Sequence, residues 1–381
     1  FFDQMLNKVP YPQAILVTSM MTYWYPGVFE TIKLLRNKFR NIPILLGGVY
    51  AKLCFDHAKK YSGADKVFSN TNETEVLEYL DSITGIKRKY VHSAISLIKN
   101  LTIPAHNLLS SKSNAAISTS FGCPLKCSYC ASKILQPKFY QRPVDDVLKE
   151  ILYLRSKKSV KNIAFYDDAL LVNAQNHFIP ILKEIIKRNL KLKFHVVNGI
   201  HADLMTEDIA KLFIEAGIKT IRFSYERVPV FKPEQQSSFK DLELKKAANC
   251  FKNIISDKKI KIEVYVKIGL PNQTVEEVVQ ALVFVHSLNC YIKLTDYSPV
   301  PGTKKKKKTI NKYGLPPNEP LYQNNTALLY FTEEFREDVM HSIKSLAEIF
   351  NASLDKKLNL VRNKNLGKFL AETLNKIIKD N

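Results

Sequence analysis

No stretch of the chain holds the roughly 18 consecutive apolar residues that a membrane-spanning helix needs. No basic start, apolar middle and small-residue cleavage site marks a signal peptide. A cytoplasmic protein is therefore the expectation. Cysteine is sparse, six in 381 residues, and too unevenly placed for a secreted disulfide scaffold. Cys54, Cys250 and Cys290 stand alone and read as small core residues. The other three crowd into eight positions, with no second cysteine pair to complete a ribbon-type zinc site. No isolated cysteine lies at ferredoxin spacing from them. No repeat of solenoid period is present. Acidic residues are also few: 36 Asp and Glu against 57 Lys and Arg give a formal net charge of +21. The excess is mostly Lys, spread along the chain without interleaved aromatics. It reads first as a solvated surface and second as a field that attracts an acidic partner. Of such partners, an acidic electron-transfer protein is preferred over a nucleic acid.

The composition, 45% apolar and 24% charged, is that of a globular protein long enough for two or three domains. The chain opens at Phe1 rather than Met, and Pro12–Ser19 already has a buried-strand pattern. The natural protein is thus expected to extend upstream. Gln13–Ser19, Ile42–Leu46 and Ala64–Phe68 read as strands; Phe29–Phe39 and Glu73–Ile83 read as helices. Such alternation implies a parallel sheet. Periodicity fades over residues 86–115, a linker rich in Lys, Ser, Asn and Pro. It resumes with strands at Ala116–Thr119, Asn162–Tyr166, Lys193–Val197, Thr220–Ser224, Lys261–Ile268 and Ile292–Tyr297. Helices separate them; Val144–Leu154, with Pro143 at its first position, is the clearest. Six strands with helices between argue for a partial barrel. Beyond residue 303, Glu333–Phe350 and Leu366–Ile378 read as amphipathic helices, and Lys304–Lys308 as a solvated loop. The division expected is 1–85, 86–115, 116–303 and 304–381.

The densest chemical signal is Phe121-Gly-Cys-Pro-Leu-Lys-Cys-Ser-Tyr-Cys130. Its cysteines follow C-x3-C-x2-C just after the first barrel strand, where loops build the active face of such folds. Three thiolates on one loop can each hold one iron of a cubane and leave the fourth iron open.

This loop resembles the signature of the radical S-adenosylmethionine (SAM) superfamily. The resemblance implies a [4Fe–4S] cluster on Cys123, Cys127 and Cys130, with SAM chelated to the open iron and Tyr129 near its adenine. Later strand ends extend it to about residue 303. Asp167 and Asp168 close the second barrel strand, where the family places polar groups near the SAM ammonium; Asp168 fits a helix cap equally well. Asn198 and His201 follow the third strand in a segment resembling family members that also carry a cobalamin domain. Ser224 and Glu226 share one face of the fourth strand and would meet the ribose or methionine carboxylate. Gly269 matches the family's adenine-contact strand, or simply a turn.

Residues 1–85 resemble part of a doubly wound B12-binding domain, with Ser19-Met-Met21 and then Gly47-Gly48 at family spacing. The D-x-H-x-x-G loop of that domain is missing; by family order it would precede Phe1. The fold class implied is α/β: a partial (β/α)6 TIM-like barrel preceded by part of a B12-binding-type domain and followed by a helical tail. The activity implied is reductive cleavage of SAM to a 5′-deoxyadenosyl radical. Cobalamin-dependent methyl transfer, or a related modification of an unactivated carbon, would follow on a small-molecule or lipid-like substrate. A flavodoxin or ferredoxin would supply the electron. Two alternatives stand beside it: a methylthiotransferase-like enzyme acting on RNA, and a truncated, non-catalytic cluster-binding protein.

Overall fold

The structure, a computed structural model, describes residues 6–7, 10–69, 73–86, 103–108, 113–157, 159–225, 233–252, 260–324 and 335–362. The chain forms two compact units. One comprises Phe1–Leu101, Leu125–Pro137 and Ser298–Leu328; the other comprises Thr102–Pro124, Lys138–Tyr297 and Leu329–Asn381. This differs from the division expected from sequence at 85, 115 and 303. The cysteine loop and the stretch after residue 297 contribute segments to the first unit.

In the first unit, β1 (Ile15–Ser19), β2 (Ile44–Gly47) and β3 (Lys66–Val67) pair in parallel in that order, with Ile15 opposite Ile44 and Thr18 opposite Gly47. Ile44, Leu45 and Leu46 are all buried, as expected of a central parallel strand covered on both faces. Val28, Ile32 and Leu35 present one stripe of helix Tyr25–Lys38 to Ile44, Leu46 and Tyr50. Lys304–Lys308, expected as a loop, instead opens a helix spanning Lys304–Tyr313. The Thr303 hydroxyl accepts from the Lys306 amide at 3.3 Å, and Gly314 ends the helix at φ 61°. Lysine is a good helix former once such a cap is in place.

In the second unit all six expected strands are present. They are β4 (Asn114–Ile117), β7 (Asn162–Phe165), β8 (Lys193–Val196), β10 (Ile218–Tyr225), β11 (Lys261–Ile268) and β12 (Tyr291–Asp296). They pair in parallel in chain order, with helices Val144–Ser156, Phe178–Lys187, Glu207–Glu215, Pro233–Lys252 and Val275–Ser287 between them. The unit is an α/β partial barrel. Three short strands had no sequence signal: β5 (Ser120–Phe121) and β6 (Tyr140–Gln141) form an antiparallel ribbon, and β9 (Ile200–His201) pairs with β10. One sheet face carries Ile117, Phe165, Phe194, Phe223, Val264 and Ile292 into the helix-packed core. The other is polar. Asn162 bonds Asn114 at 2.9 Å and His195 at 3.2 Å, and Arg222 pairs with Glu263 at 2.6 Å. The Glu333–Phe350 helix is observed at Glu337–Asp355; Leu366–Ile378 lies outside the described residues. Pro143 caps its helix rather than opening it.

His286 ties the last core helices together. It is fully buried, stacks on Phe350 with ring centroids 4.4 Å apart, and accepts the Leu360 amide at Nε2 at 2.9 Å. Burial pushes its pKa down to about 4. The unfolded chain, with an ordinary histidine near 6.5, therefore takes up a proton that the folded chain refuses. This penalty is absent above about pH 6.5 and grows as pH falls, reaching about 3 kcal/mol near pH 4. Urea midpoints of the wild type are expected to fall across this window. A His286→Gln variant, less stable at neutral pH, should show a shallower acid slope. Equal slopes would contradict the assignment.

Candidate active site

The site is organised around Asp167, directly after β7. The carboxylate is 3% exposed, and its Oδ1 accepts four hydrogen bonds. Thr119 donates its amide at 2.9 Å and hydroxyl at 2.7 Å; Ser120 donates its amide at 2.5 Å and hydroxyl at 2.7 Å. Burial pushes the carboxyl pKa up, and these four donors pull against it. The group thus clamps the chain where β4 ends and the β5–β6 ribbon begins.

A second set of bonds holds the far side of the ribbon. The Arg142 amide donates to the Thr119 carbonyl at 2.9 Å, and its Nη1 donates to the Ser118 carbonyl at 2.7 Å. The same nitrogen pairs with Glu150 Oε2 at 2.6 Å, and His106 Nε2 meets Glu150 Oε1 at 2.8 Å. His177 Nε2 donates to the Arg142 carbonyl at 3.0 Å; burial lowers its pKa, so the ring is neutral. Asp167 Oδ2, His177 Nδ1 and Arg142 Nε are buried with no hydrogen-bond partner among the described residues. None of the six clamp residues besides Asp167 was singled out from sequence. Glu150 left one signal: with Val147 and Leu154 it occupies the core stripe of an amphipathic helix, where a charge demands a partner.

The cysteine loop springs from this ribbon. Gly122 has φ 73°, a left-handed conformation suited to glycine. Cys123 is half-buried and lies in the second unit's segment Thr102–Pro124; Cys127, half-buried, and Cys130, exposed, belong to the first unit's segment. None of the three forms a disulfide. The Cys130 amide donates to the Cys127 carbonyl at 3.2 Å, and the Ser132 amide donates to Cys130 Sγ at 3.4 Å. An amide aimed at sulfur helps fix the orientation of a metal-binding side chain. Among the described residues, no three His, Cys, Asp or Glu side chains form a group that could hold a single metal ion. The donor chemistry fits a cubane, whose three cysteines bind three different irons and so need not converge on one point. Tyr129 is half-buried, with Lys305 Nζ 5.8 Å from its ring centroid.

Most other candidates stand at the C-terminal ends of neighbouring strands in the second unit, where ligands bind in such folds. Asp168 is exposed. Asn198 Nδ2 donates to the carbonyls of Tyr166 at 3.0 Å and Asp167 at 3.2 Å, so its amide braces β7. His201 lies opposite Ser224 across β9 and β10. A Cβ on Gly199 would lie 2.1 Å from Ser224 Oγ, so that glycine admits the serine. Gly269 has φ 77° and begins a turn closed by Gln273, which accepts the Leu270 amide at 3.1 Å. Glu226 lies outside the described residues. In the first unit, Ser19 is buried and donates to the Met21 carbonyl at 2.8 Å. Gly48 pairs with it; a Cβ there would meet the Ser19 carbonyl at 2.5 Å, whereas one on Gly47 would meet nothing.

Residues 117–285 match the sequence model of the Radical SAM superfamily. The chain carries a radical SAM domain. It is thereby an enzyme of the radical SAM class, whose cofactors are a [4Fe–4S] cluster and SAM. An uncharacterized methyltransferase of Pyrococcus horikoshii is 22% identical over 77% of this chain and 68% of its own length. The ribosomal protein uS12 methylthiotransferase RimO of Thermosipho melanesiensis is 30% identical over 45% of this chain and 41% of its own length. The chain thus matches less than half of that relative. The radical SAM methyltransferase TsrM from Kitasatospora setae, solved with cobalamin and a [4Fe–4S] cluster, superposes with a TM-score of 0.64 at 15% identity, covering 82% of this chain and 69% of that one. At that identity the likeness shows the fold.

The clamp separates two adjacent aspartates. Asp167→Ala is expected to lower stability by about 3 kcal/mol, because it strands buried donors. Asp168→Ala should stay within about 0.5 kcal/mol. Urea unfolding of both variants checks this, and equal losses would remove the clamp from the account.

Proposed function

We propose that the chain reductively cleaves SAM and uses the resulting radical chemistry to modify an unactivated carbon, by cobalamin-dependent methyl transfer. The observation that carries the reading is the C-x3-C-x2-C loop of Cys123, Cys127 and Cys130 rooted in the Asp167-clamped ribbon of a radical SAM domain. When bound, the cluster supplies the electron that splits the sulfonium C–S bond, giving a 5′-deoxyadenosyl radical and methionine. Cys123, Cys127 and Cys130 would hold it through their thiolates, with no fourth cysteine in the loop. Asp168, Asn198, His201 and Ser224, at the strand ends of the second unit, would orient SAM, and the family resemblance adds Glu226, Gly269 and Tyr129 as further SAM contacts. A clamped loop lets cofactor and sulfonium meet without reorganisation. The substrate is a small or lipid-like molecule. Reconstituted, reduced protein should yield 5′-deoxyadenosine from SAM. Replacing any one of the three cysteines with Ala should abolish both the cluster absorbance and that product. Turnover by a cysteine variant would refute the assignment.

Cobalamin would lie on the first unit, beside Ser19, Gly47 and Gly48. Met20 and Trp24, 70% and 54% exposed, follow β1 and offer an apolar platform to a corrin. Trp24 is the chain's single tryptophan. Adding hydroxocobalamin should quench its emission saturably, and Gly47→Trp, read by the corrin's own absorbance, should prevent binding. An unquenched Trp24 would leave a radical SAM enzyme without cobalamin. The similarity to RimO supports a second reading, methylthio transfer, which product mass distinguishes from methyl transfer.

A further inference from the structure

The electron needed by the proposed function must come from outside the chain, and two segments of the first unit are strongly basic. The segments 125–137 and 298–324 carry Lys126, Lys133, Lys304, Lys305, Lys306, Lys307, Lys308 and Lys312, eight lysines, against the single carboxylate Glu319. Glu319 is already engaged by the Leu321 amide at 2.9 Å and by Tyr25. The two segments are joined where it matters: the Lys305 amide donates to the Ser128 carbonyl at 3.1 Å, and Lys305 Nζ stands 5.8 Å from the Tyr129 ring centroid. The lysine helix therefore begins against the stretch between Cys127 and Cys130. Lys126, Lys133, Lys304, Lys307, Lys308 and Lys312 are exposed, as is Cys130.

The order of charge along this helix opposes its own stability. Helices Val144–Ser156, Glu207–Glu215, Val275–Ser287 and Glu337–Asp355 each place two acids in the first turn, where the helix dipole favours them. Lys304–Tyr313 has none there and begins with five consecutive lysines. Cations at that end oppose the helix dipole, most strongly at low salt. A helix that only met solvent would gain from the reverse order, so the arrangement points to a partner.

We propose that the face formed by Lys304, Lys307 and Lys308, with Lys126 and Lys133, is the docking surface for an acidic one-electron donor protein of the flavodoxin or ferredoxin type. The proposal rests on the radical SAM reading and adds where the donor binds. One electron passes from donor to cluster, the donor leaving one equivalent more oxidised, and no proton or atom is exchanged. Carboxylates around the donor's redox group meet ammonium groups beside the cysteine loop, which steers the encounter and brings the two centres close.

The test compares wild type with a Lys304→Glu/Lys307→Glu/Lys308→Glu variant, both reconstituted and shown by circular dichroism to be folded. Stopped flow follows cluster reduction by reduced flavodoxin and, separately, by reduced methyl viologen, a small cation that needs no basic dock. Flavodoxin affinity for each chain is measured by calorimetry. The variant should lose about 10- to 100-fold in rate with flavodoxin at low salt, show a flattened salt dependence and bind flavodoxin correspondingly less tightly. Its methyl viologen rate should be unchanged. A variant that keeps its flavodoxin rate and affinity overturns the proposal. So does one slowed equally with both reductants, because the lysines would then support the loop. Loss of binding to an RNA oligonucleotide with flavodoxin binding intact would reassign the face to nucleic acid. Failure of wild type to form 5′-deoxyadenosine even with methyl viologen would count against the proposed function, while the binding measurement still decides the dock.

Discussion

One buried carboxylate oxygen fixes the geometry on which the rest of the site depends. Asp167 Oδ1 gathers two amides and two hydroxyls from Thr119 and Ser120. An acceptor out of water makes such bonds strong and makes their loss expensive. The consequence is positional. β4 ends where β7 ends, and the ribbon that leads into the cysteines leaves the sheet at one defined point. Arg142 and Glu150 secure the returning strand of the ribbon from the other side. The 18-residue segment between β5 and β6, which carries the cysteines and would otherwise sample many shapes, is thereby anchored at both ends. Entropy given up during folding is not demanded again when a cofactor arrives.

The same logic explains why the sheet is two-faced. Its helix-covered side is Ile, Val, Phe and Ala, and carries the stability of the unit. Its other side is a run of hydrogen-bonded polar groups, including Asn114, Asn162, His195, Arg222 and Glu263. A sheet buried on both faces would read as continuous apolar runs. The polar residues mark the side that a closed barrel would fill and an open one leaves for ligands. Strand ends on that side carry Asp168, Asn198, His201, Ser224 and Gly269. The stable face and the chemical face are the two sides of one set of strands.

Much of this was legible in the sequence. The six barrel strands and most of their bounds follow from short β-rich runs separated by helical spacing, the form in which local pattern and tertiary burial agree. The cysteine triplet was legible because its spacing is chemical rather than conformational. β5, β6 and β9 were not, since two-residue strands carry no periodicity. The lysine run from 304 to 308 looked like a loop because its net charge hid a Thr303 cap, a buried Thr309 and a Gly314 stop. Asp167 was expected at a ligand and is found holding backbone. Nothing local distinguishes it from Asp168; only the folded chain, which buries one and exposes the other, does so. The distribution of loop segments between two units was equally invisible, because it depends on contacts distant in sequence.

The central claim is that the three cysteines of this clamped loop hold a cluster with one iron left for SAM. Electron–nuclear double resonance on the reduced, reconstituted chain, with SAM isotopically labelled at its amino nitrogen, tests it most directly. The account predicts a hyperfine coupling between the label and the cluster that vanishes when unlabelled SAM is substituted. A fully loaded cluster showing no coupling to the label, its fourth iron held instead by a protein side chain, would contradict it.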